Sequence, residues 1–250
     1  MDLHLDGRVA LVTGATSGVG RAIATLLAQE GAAVAVNYNS SAEAANAIVR
    51  EIEAAGGKAA AYRADVSDRA AVQAAVDRIV EDFGRLDILI NNAGFVERKP
   101  FESTTPEDWQ KQIGSCLFGA IHCCHAAAPH LIKSGHGRIV GLIGDSSRVG
   151  ESGLSLAAAA RAGAVGLIKS LAREMGRHGV TANTISLGLV ETGHQQDWLD
   201  ANREKLVKLY PTRRLGRAED VPPLVALLAS DGGSWITGQT ISVSGGYCMI

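Results

Sequence analysis

The chain has 250 residues, of which 46% are hydrophobic, 20% charged and only 4% aromatic, and its formal net charge is −2. Charges of both signs are interspersed, so there is no basic stripe for a nucleic-acid backbone and no polybasic segment for a membrane surface; no uninterrupted apolar run reaches the roughly 18 residues of a bilayer span. The N-terminal stretch Met1 to Gly7 is polar, and Cys116, Cys123, Cys124 and Cys248 form no paired framework, which points to free thiols in a reducing, cytoplasmic setting.

Short apolar runs alternate with amphipathic stretches from end to end, and the length suits one α/β domain spanning residues 1–250. The expected order begins with strand Arg8 to Val12, helix Gly18 to Glu30, strand Ala32 to Asn37, helix Ala42 to Ala55 and strand Lys58 to Arg63. It continues with helix Asp68 to Phe83, strand Leu86 to Ile90, helix Pro106 to Leu131, strand Arg138 to Ile143 and helix Ser155 to Arg177. It closes with strand Thr181 to Ser186, helix Glu219 to Ser230 and strand Thr240 to Val243. Repeated βα units require crossover helices, so about seven strands form a doubly wound parallel sheet flanked by helices, a Rossmann-type α/β fold. Ligands of such sheets lie beyond the carboxyl ends of the strands.

The first strand runs into Thr13-Gly14-Ala15-Thr16-Ser17-Gly18-Val19-Gly20 and then a helix. Gly14, Gly18 and Gly20 permit a tight turn and close backbone approach. Amide groups at Ser17, Gly18 and Val19, with the helix dipole, favour phosphate oxygens. A turn with no ligand is the plainer reading; its position between strand and helix favours phosphate.

The T-G-x-x-x-G-x-G spacing resembles the short-chain dehydrogenase/reductase family. Asp65-Val66 is similar to that family's adenine contact, and Asn91-Asn92-Ala93-Gly94 to its N-N-A-G motif, with Asn92, Ala93 and Gly94 lining the cofactor cleft. Gly137-Arg138-Ile139-Val140, Lys169 to Glu174 and Gly238-Gln239 to Gly245-Gly246 resemble the β-ketoacyl-carrier-protein reductase branch. The resemblance implies a nicotinamide dinucleotide, with Thr192 near the nicotinamide amide, a small-molecule substrate, and a homotetramer or homodimer. The second strand ends in Asn37-Tyr38-Asn39-Ser40, without the acid that commonly holds the NAD ribose, so NADP(H) is favoured and NAD(H) is the alternative. The turn lacks the basic residue many NADP-dependent members carry. Capping by Ser40 or Ser41 is the plainer role for this segment.

The same resemblance implies a Tyr proton donor, a Lys partner, a Ser and a helical Asn. Aligned through the flanking motifs without a gap, these fall at Ala157, Arg161, Gly144 and Cys116. No Tyr lies between Tyr62 and Tyr210, and none of Tyr38, Tyr62, Tyr210 and Tyr247 has a Lys four positions on. Ordinary ketoreductase activity is therefore expected to be absent or very weak. Arg161 retains a positive charge suited to a ribose or an anion, and Ala157 either leaves a phenol-sized space or belongs, with Ala158 to Ala160, to a run of helix-forming filler. Asp145, Ser146, Ser147 and Arg148 follow the fifth strand at the expected cleft mouth, suited either to general-base work or to loop hydrogen bonding. Cys116 reads as a nucleophile or as a small buried residue.

His122 and His125 sit one helical turn apart, but no second ligand pair completes a tetrahedral zinc site, so no metal is expected and interface packing is the plainer reading. Gly193 to Pro211, with Trp198 and Tyr210, occupies the place of a substrate lid. Glu97, Arg98 and Lys99 either select a charged substrate or form a solvated loop. Three functions follow: a divergent enzyme of hydrolase, lyase, dehydratase or isomerase type; an oxidoreductase with water or Ser146 in place of the Tyr; or a non-catalytic subunit in a mixed tetramer with an active paralogue.

Overall fold

The structure is a computed structural model describing residues 3, 5–193 and 196–250. Met1, Asp2 and His4 of the polar N-terminal stretch, and His194 and Gln195 of the expected lid, lie outside the described residues.

Seven strands form one wholly parallel sheet in the order β3-β2-β1-β4-β5-β6-β9. They are β1 (Val9–Val12), β2 (Ala33–Tyr38), β3 (Lys58–Arg63), β4 (Ile88–Asn91), β5 (Arg138–Gly144), β6 (Thr181–Leu187) and β9 (Thr240–Val243). β1 and β4 are buried throughout, as continuous apolar runs covered on both faces must be. On one face, α1 (Gly18–Gln29), α2 (Ala42–Ala54) and α9 (Pro222–Ala229) pack Ile23, Leu27, Ile48 and Val225 against Val34, Val36 and Ile90. On the other, α3 (Arg69–Phe83), α5 (Gly119–Ser134) and α7 (Ser155–Met175) pack Val76, Ile79, Leu131 and Ile168 against Leu11, Leu89 and Ile139.

Strand order reverses at β1, which pairs with β2 on one side and β4 on the other, opening a crevice beyond their carboxyl ends. Val12 lies level with Val36 and Ile90, so the residues that follow these strands meet at one point.

Local differences from the expected elements have physical causes. The helix expected over Pro106 to Leu131 is divided into α4 (Pro106–Ile113), a π-helical turn (Gly114–Phe118) and α5. A Cβ at Gly119 would lie 2.8 Å from Val66 Cγ2, so only glycine lets the helix approach the β3 end here. Single π turns of this kind concentrate at functional sites. Three further elements have too little apolar periodicity to stand out in sequence: α6 (Ser146–Val149), α8 (Gln196–Val207), and the short parallel ladder of β7 (Val190–Glu191) with β8 (Gly216–Arg217). The helical stretches Pro106–Ser134 and Ser155–His178 are long and apolar enough, by length and composition, to cross a membrane, but α5 and α7 within them lie against the sheet.

Candidate functional site

The turn after β1 is held by the residues after β4. The Thr13 hydroxyl donates to the Ile90 carbonyl (3.1 Å) and accepts from the backbone N–H groups of Asn92 (2.9 Å) and Ala93 (3.0 Å). The Asn92 amide donates to the carbonyls of Thr13 (2.9 Å) and Gly14 (3.1 Å). Gly14 and Gly18 have φ of 61° and 51°, the left-handed region that disfavours a side chain. A Cβ at Gly20 would stand 2.4 Å from the Gly14 oxygen and 2.5 Å from Asn92 Nδ2. At the start of α1 the Ser17 side chain makes no capping bond, leaving first-turn N–H groups available to an anion. This cradle fits a pyrophosphate.

The expected cofactor residues divide into those that line the crevice and those that brace it. Asn37 braces: it is 4% exposed, its Oδ1 accepts from Gly14 N (3.2 Å), and its Nδ2 donates to the carbonyls of Ala64 (3.0 Å) and Tyr62 (3.4 Å). The exposed rim beyond β2 is instead formed by Asn39, Ser40 and Ser41 with Arg63, whose Nε donates to the Asn39 carbonyl (3.2 Å). Arg63 was not singled out in sequence; the β2/β3 register, which pairs it with Tyr38, puts it there. Asp65 accepts from the Ser67 hydroxyl (2.7 Å), the Ser67 N–H (2.9 Å) and Asn39 (3.0 Å), and the Ser67 hydroxyl in particular holds its carboxyl below the usual range. The Val66 carbonyl takes the His122 Nδ1 contact at 3.0 Å, so His122 ties α5 to β3. Thr192 lies over the turn, its Cγ2 being 2.9 Å from where a Gly18 Cβ would sit.

At the other end of the crevice, α7 carries Ala157 and Arg161. Ala157 is wholly buried and lines neither cavity in which Arg161 takes part, so no open phenol-sized space lies beside it. The half-buried Arg161 points between two glycines. A Cβ at Gly144 would lie 3.0 Å from its Nη1, and one at Gly94 3.8 Å from its Nη2 and 3.0 Å from Cys116 Sγ. Cys116, in the π turn, is 7% exposed and donates its thiol to the Phe95 carbonyl at 3.4 Å.

Asp145 makes the hydrogen bonds of a loop residue, the second of its two expected roles, and turns its carboxylate inward. Its residue is 2% exposed, its Oδ1 accepts the Ser186 hydroxyl, and its Oδ2 is buried without a partner. The chain turns inward here because Asp145 N bonds back to the Leu187 carbonyl (2.8 Å). Ser147 bonds to the Gly144 carbonyl (2.7 Å) and Arg148 to the Ser242 hydroxyl (2.6 Å), whereas the 6%-exposed Ser146 hydroxyl has no partner among the described residues.

Gly144, Ser146 and Arg161 open onto a cavity of about 300 Å³ walled by Trp198, Tyr210 and Tyr247. The Tyr210 hydroxyl accepts from Leu189 N (2.9 Å), and its ring stacks on Tyr247 at 5.2 Å. Burial pushes both phenols above their usual range. The loop charges are spent on structure: Arg98 pairs with Glu151, and Lys99 with Asp108 at 2.7 Å. Burial pushes the Cys124 thiol up to about 12 and raises Cys123 further, and no group of three His, Cys, Asp or Glu side chains able to hold a metal occurs among the described residues.

Comparison with known proteins agrees with this geometry. Residues 14–248 match the family described as enoyl-(acyl carrier protein) reductase. The chain is 39% identical over 240 residues to the 3-oxoacyl-[acyl-carrier-protein] reductase FabG of Staphylococcus aureus, covering 96% of this chain and 98% of that one. Among solved structures it superposes on a gluconate 5-dehydrogenase from Burkholderia cenocepacia in complex with NADP and tartrate (TM-score 0.93, 32% identity, 98% and 97% of the chains). It also superposes on a blue fluorescent protein from a metagenomic library in complex with NADPH (TM-score 0.92, 33% identity, 98% and 99%). Sheet order, Gly-rich turn and similarity along nearly the whole length agree: the chain belongs to the short-chain dehydrogenase/reductase family, an oxidoreductase family, and is similar within it to the 3-oxoacyl-[acyl-carrier-protein] reductases.

Proposed function

We propose that this protein binds NADP(H) in the crevice between the Gly-rich turn and α7 and does not run ordinary ketoreduction there. The pyrophosphate would lie on the turn at Gly14, Ser17, Gly18 and Val19, with Gly20 and Asn92 bracing it and Asp65, Val66, Ala93, Gly94 and Thr192 along the walls. An acid-free rim of Asn39, Ser40, Ser41 and Arg63 favours a 2′-phosphate over a bare ribose. The two neighbours whose names include NADP or NADPH support the same choice, and NAD(H) is the weaker alternative.

The observation that carries the second half is on α7: a sealed Ala157 and an unpaired Arg161 stand where the family's Tyr and Lys are expected. A bound dinucleotide supplies or accepts a hydride; the chain must supply the proton. Tyr210 and Tyr247 are poor substitutes, because burial raises their pKa whereas a relay lowers it. An arginine holds its proton and grips planar oxyanions. The cleft therefore suits a small-molecule substrate bound by Arg161 and Ser146 and a non-standard step of hydrolase, lyase, dehydratase or isomerase type. Asp145 would act by orienting Ser186 and β6, and Cys116 by shaping the floor. A second reading, an oxidoreductase with Ser146 as proton donor, draws on the unpartnered Ser146 hydroxyl.

The α5 and α7 faces support a homotetramer or homodimer, or a mixed assembly with an active paralogue. Only 39% and 28% of the most apolar windows of the two helical stretches is buried. Following NADPH absorbance with a 3-oxoacyl thioester tests the catalytic reading. The expected rate is roughly 10²- to 10⁴-fold below that of a Tyr/Lys-bearing reductase control; equal rates would overturn it.

A further inference from the structure

We propose that Gly144, Ser146 and Arg161 together form a site for a planar oxyanion, and that its ligand is the carboxylate of a small substrate. Several other arginines are neutralised: Arg21 by Glu51, Arg78 by Asp82, Arg85 by Asp87, Arg203 by Glu191 and Arg214 by Asp220. The buried Arg138 is spent on the carbonyls of Gly137, Gly179 and Ser230. Arg161 is half-buried and has neither an ion pair nor a hydrogen bond among the described residues. A cation drawn partly out of water without a partner is unfavourable unless a ligand completes it.

The surroundings are cut to admit such a ligand. A Cβ at position 144 would stand 3.0 Å from Arg161 Nη1, so glycine there leaves the guanidinium its full room. The same point lies 3.4 Å from the Ser146 hydroxyl, which is more than nine-tenths buried, opens on the same cavity and donates to nothing. Its neighbours Ser147 and Arg148 are both engaged elsewhere. The guanidinium fork and the hydroxyl thus approach the same side of Gly144 and open on one cavity, a donor set matching two carboxylate oxygens.

The cavity wall selects within oxyanions. Arg98, the other cation lining this space, is paired with Glu151, and the Asp145 carboxylate is turned toward Ser186, so Arg161 is the cation left without a partner there among the described residues. Trp198, Tyr210 and Tyr247 line the rest of a cavity of about 300 Å³, suited to a short apolar body behind the acid group.

The position of this site relative to a cofactor rests on the dinucleotide reading above; its ligand chemistry does not. Calorimetric titration of the wild-type protein with acetoacetate and with methyl acetoacetate, each with and without saturating NADPH, separates the two. Acetoacetate should bind and its methyl ester should bind roughly tenfold more weakly or not at all. Arg161→Met should lose a similar factor and Arg161→Lys should fall between, with thermal melting showing that each variant folds. Acid and ester binding alike, no acid binding in either condition, inorganic phosphate binding more tightly than acetoacetate, or an unchanged Arg161→Met would overturn the proposal. Titration with NADPH alone reports on the cofactor reading separately.

Discussion

Gly20 and Ala157 show how single positions decide what the crevice holds. A methyl at Gly20 would meet the Gly14 oxygen at 2.4 Å and Asn92 Nδ2 at 2.5 Å, and neither can retreat without unmaking the brace between the turn and β4. Gly20→Ala should therefore lower unfolding free energy by about 1–3 kcal/mol and weaken dinucleotide binding, measured by urea denaturation and calorimetry; an unchanged midpoint would contradict the packing argument. Ala157→Tyr, which restores only the phenol, should also cost about 1–3 kcal/mol, because its site is closed, and should not restore reduction while Arg161 remains. The turn and the missing Tyr were legible in sequence because spacing alone carries them. The bracing role of Asn37 was not, since its three side-chain bonds depend on β2, β3 and the turn being brought together. The inward carboxylate of Asp145 was hidden for the same reason: its partner Ser186 comes from the next strand.

Helices and strands were most legible where local chemistry marks their ends. Asp68 accepts from the N–H groups of Ala70 (2.8 Å) and Ala71 (3.2 Å) and starts α3, while Gly84, with φ of 78°, stops it. Asp68→Ala should cost about 0.5–2 kcal/mol in chemical denaturation. The lid elements α8, β7 and β8 were not legible because what holds each lies outside it: Arg203 of α8 pairs with Glu191 of β7, β7 ladders with β8, and Arg214 pairs with Asp220 at 2.5 Å. The Arg214 guanidinium first, and then the Arg217 N–H, hold the Asp220 carboxyl at about 2. A depressed carboxyl pKa gives stability that is full above the unfolded value and is lost as pH falls through the folded value. Stability should thus decline between pH about 4 and pH about 2, and Asp220→Asn should flatten part of that decline in pH-resolved denaturation. An identical slope in the variant would remove Asp220 from the account.

Across the whole molecule, the doubly wound parallel sheet follows from the alternation of apolar strands and crossover helices and was readable before any contact was known, whereas the strand order came only with the structure. The assembly is less direct. α7 exposes Ala159, Ala162, Gly163 and Gly166, small residues that let another helix come close, and Phe118 at the start of α5 is 51% exposed. Light scattering should find a dimer or tetramer, and a monomer at micromolar concentration would contradict the docking of these faces. The central claim is that the Thr13 to Gly20 turn serves a phosphorylated dinucleotide in a chain that has no Tyr followed four positions on by a Lys. Calorimetric titration of the wild-type protein with NADPH and with NADH under matched conditions tests it most directly. Saturable NADPH binding, tighter than that of NADH, is the predicted result; binding of neither, or a preference for NADH, would contradict it.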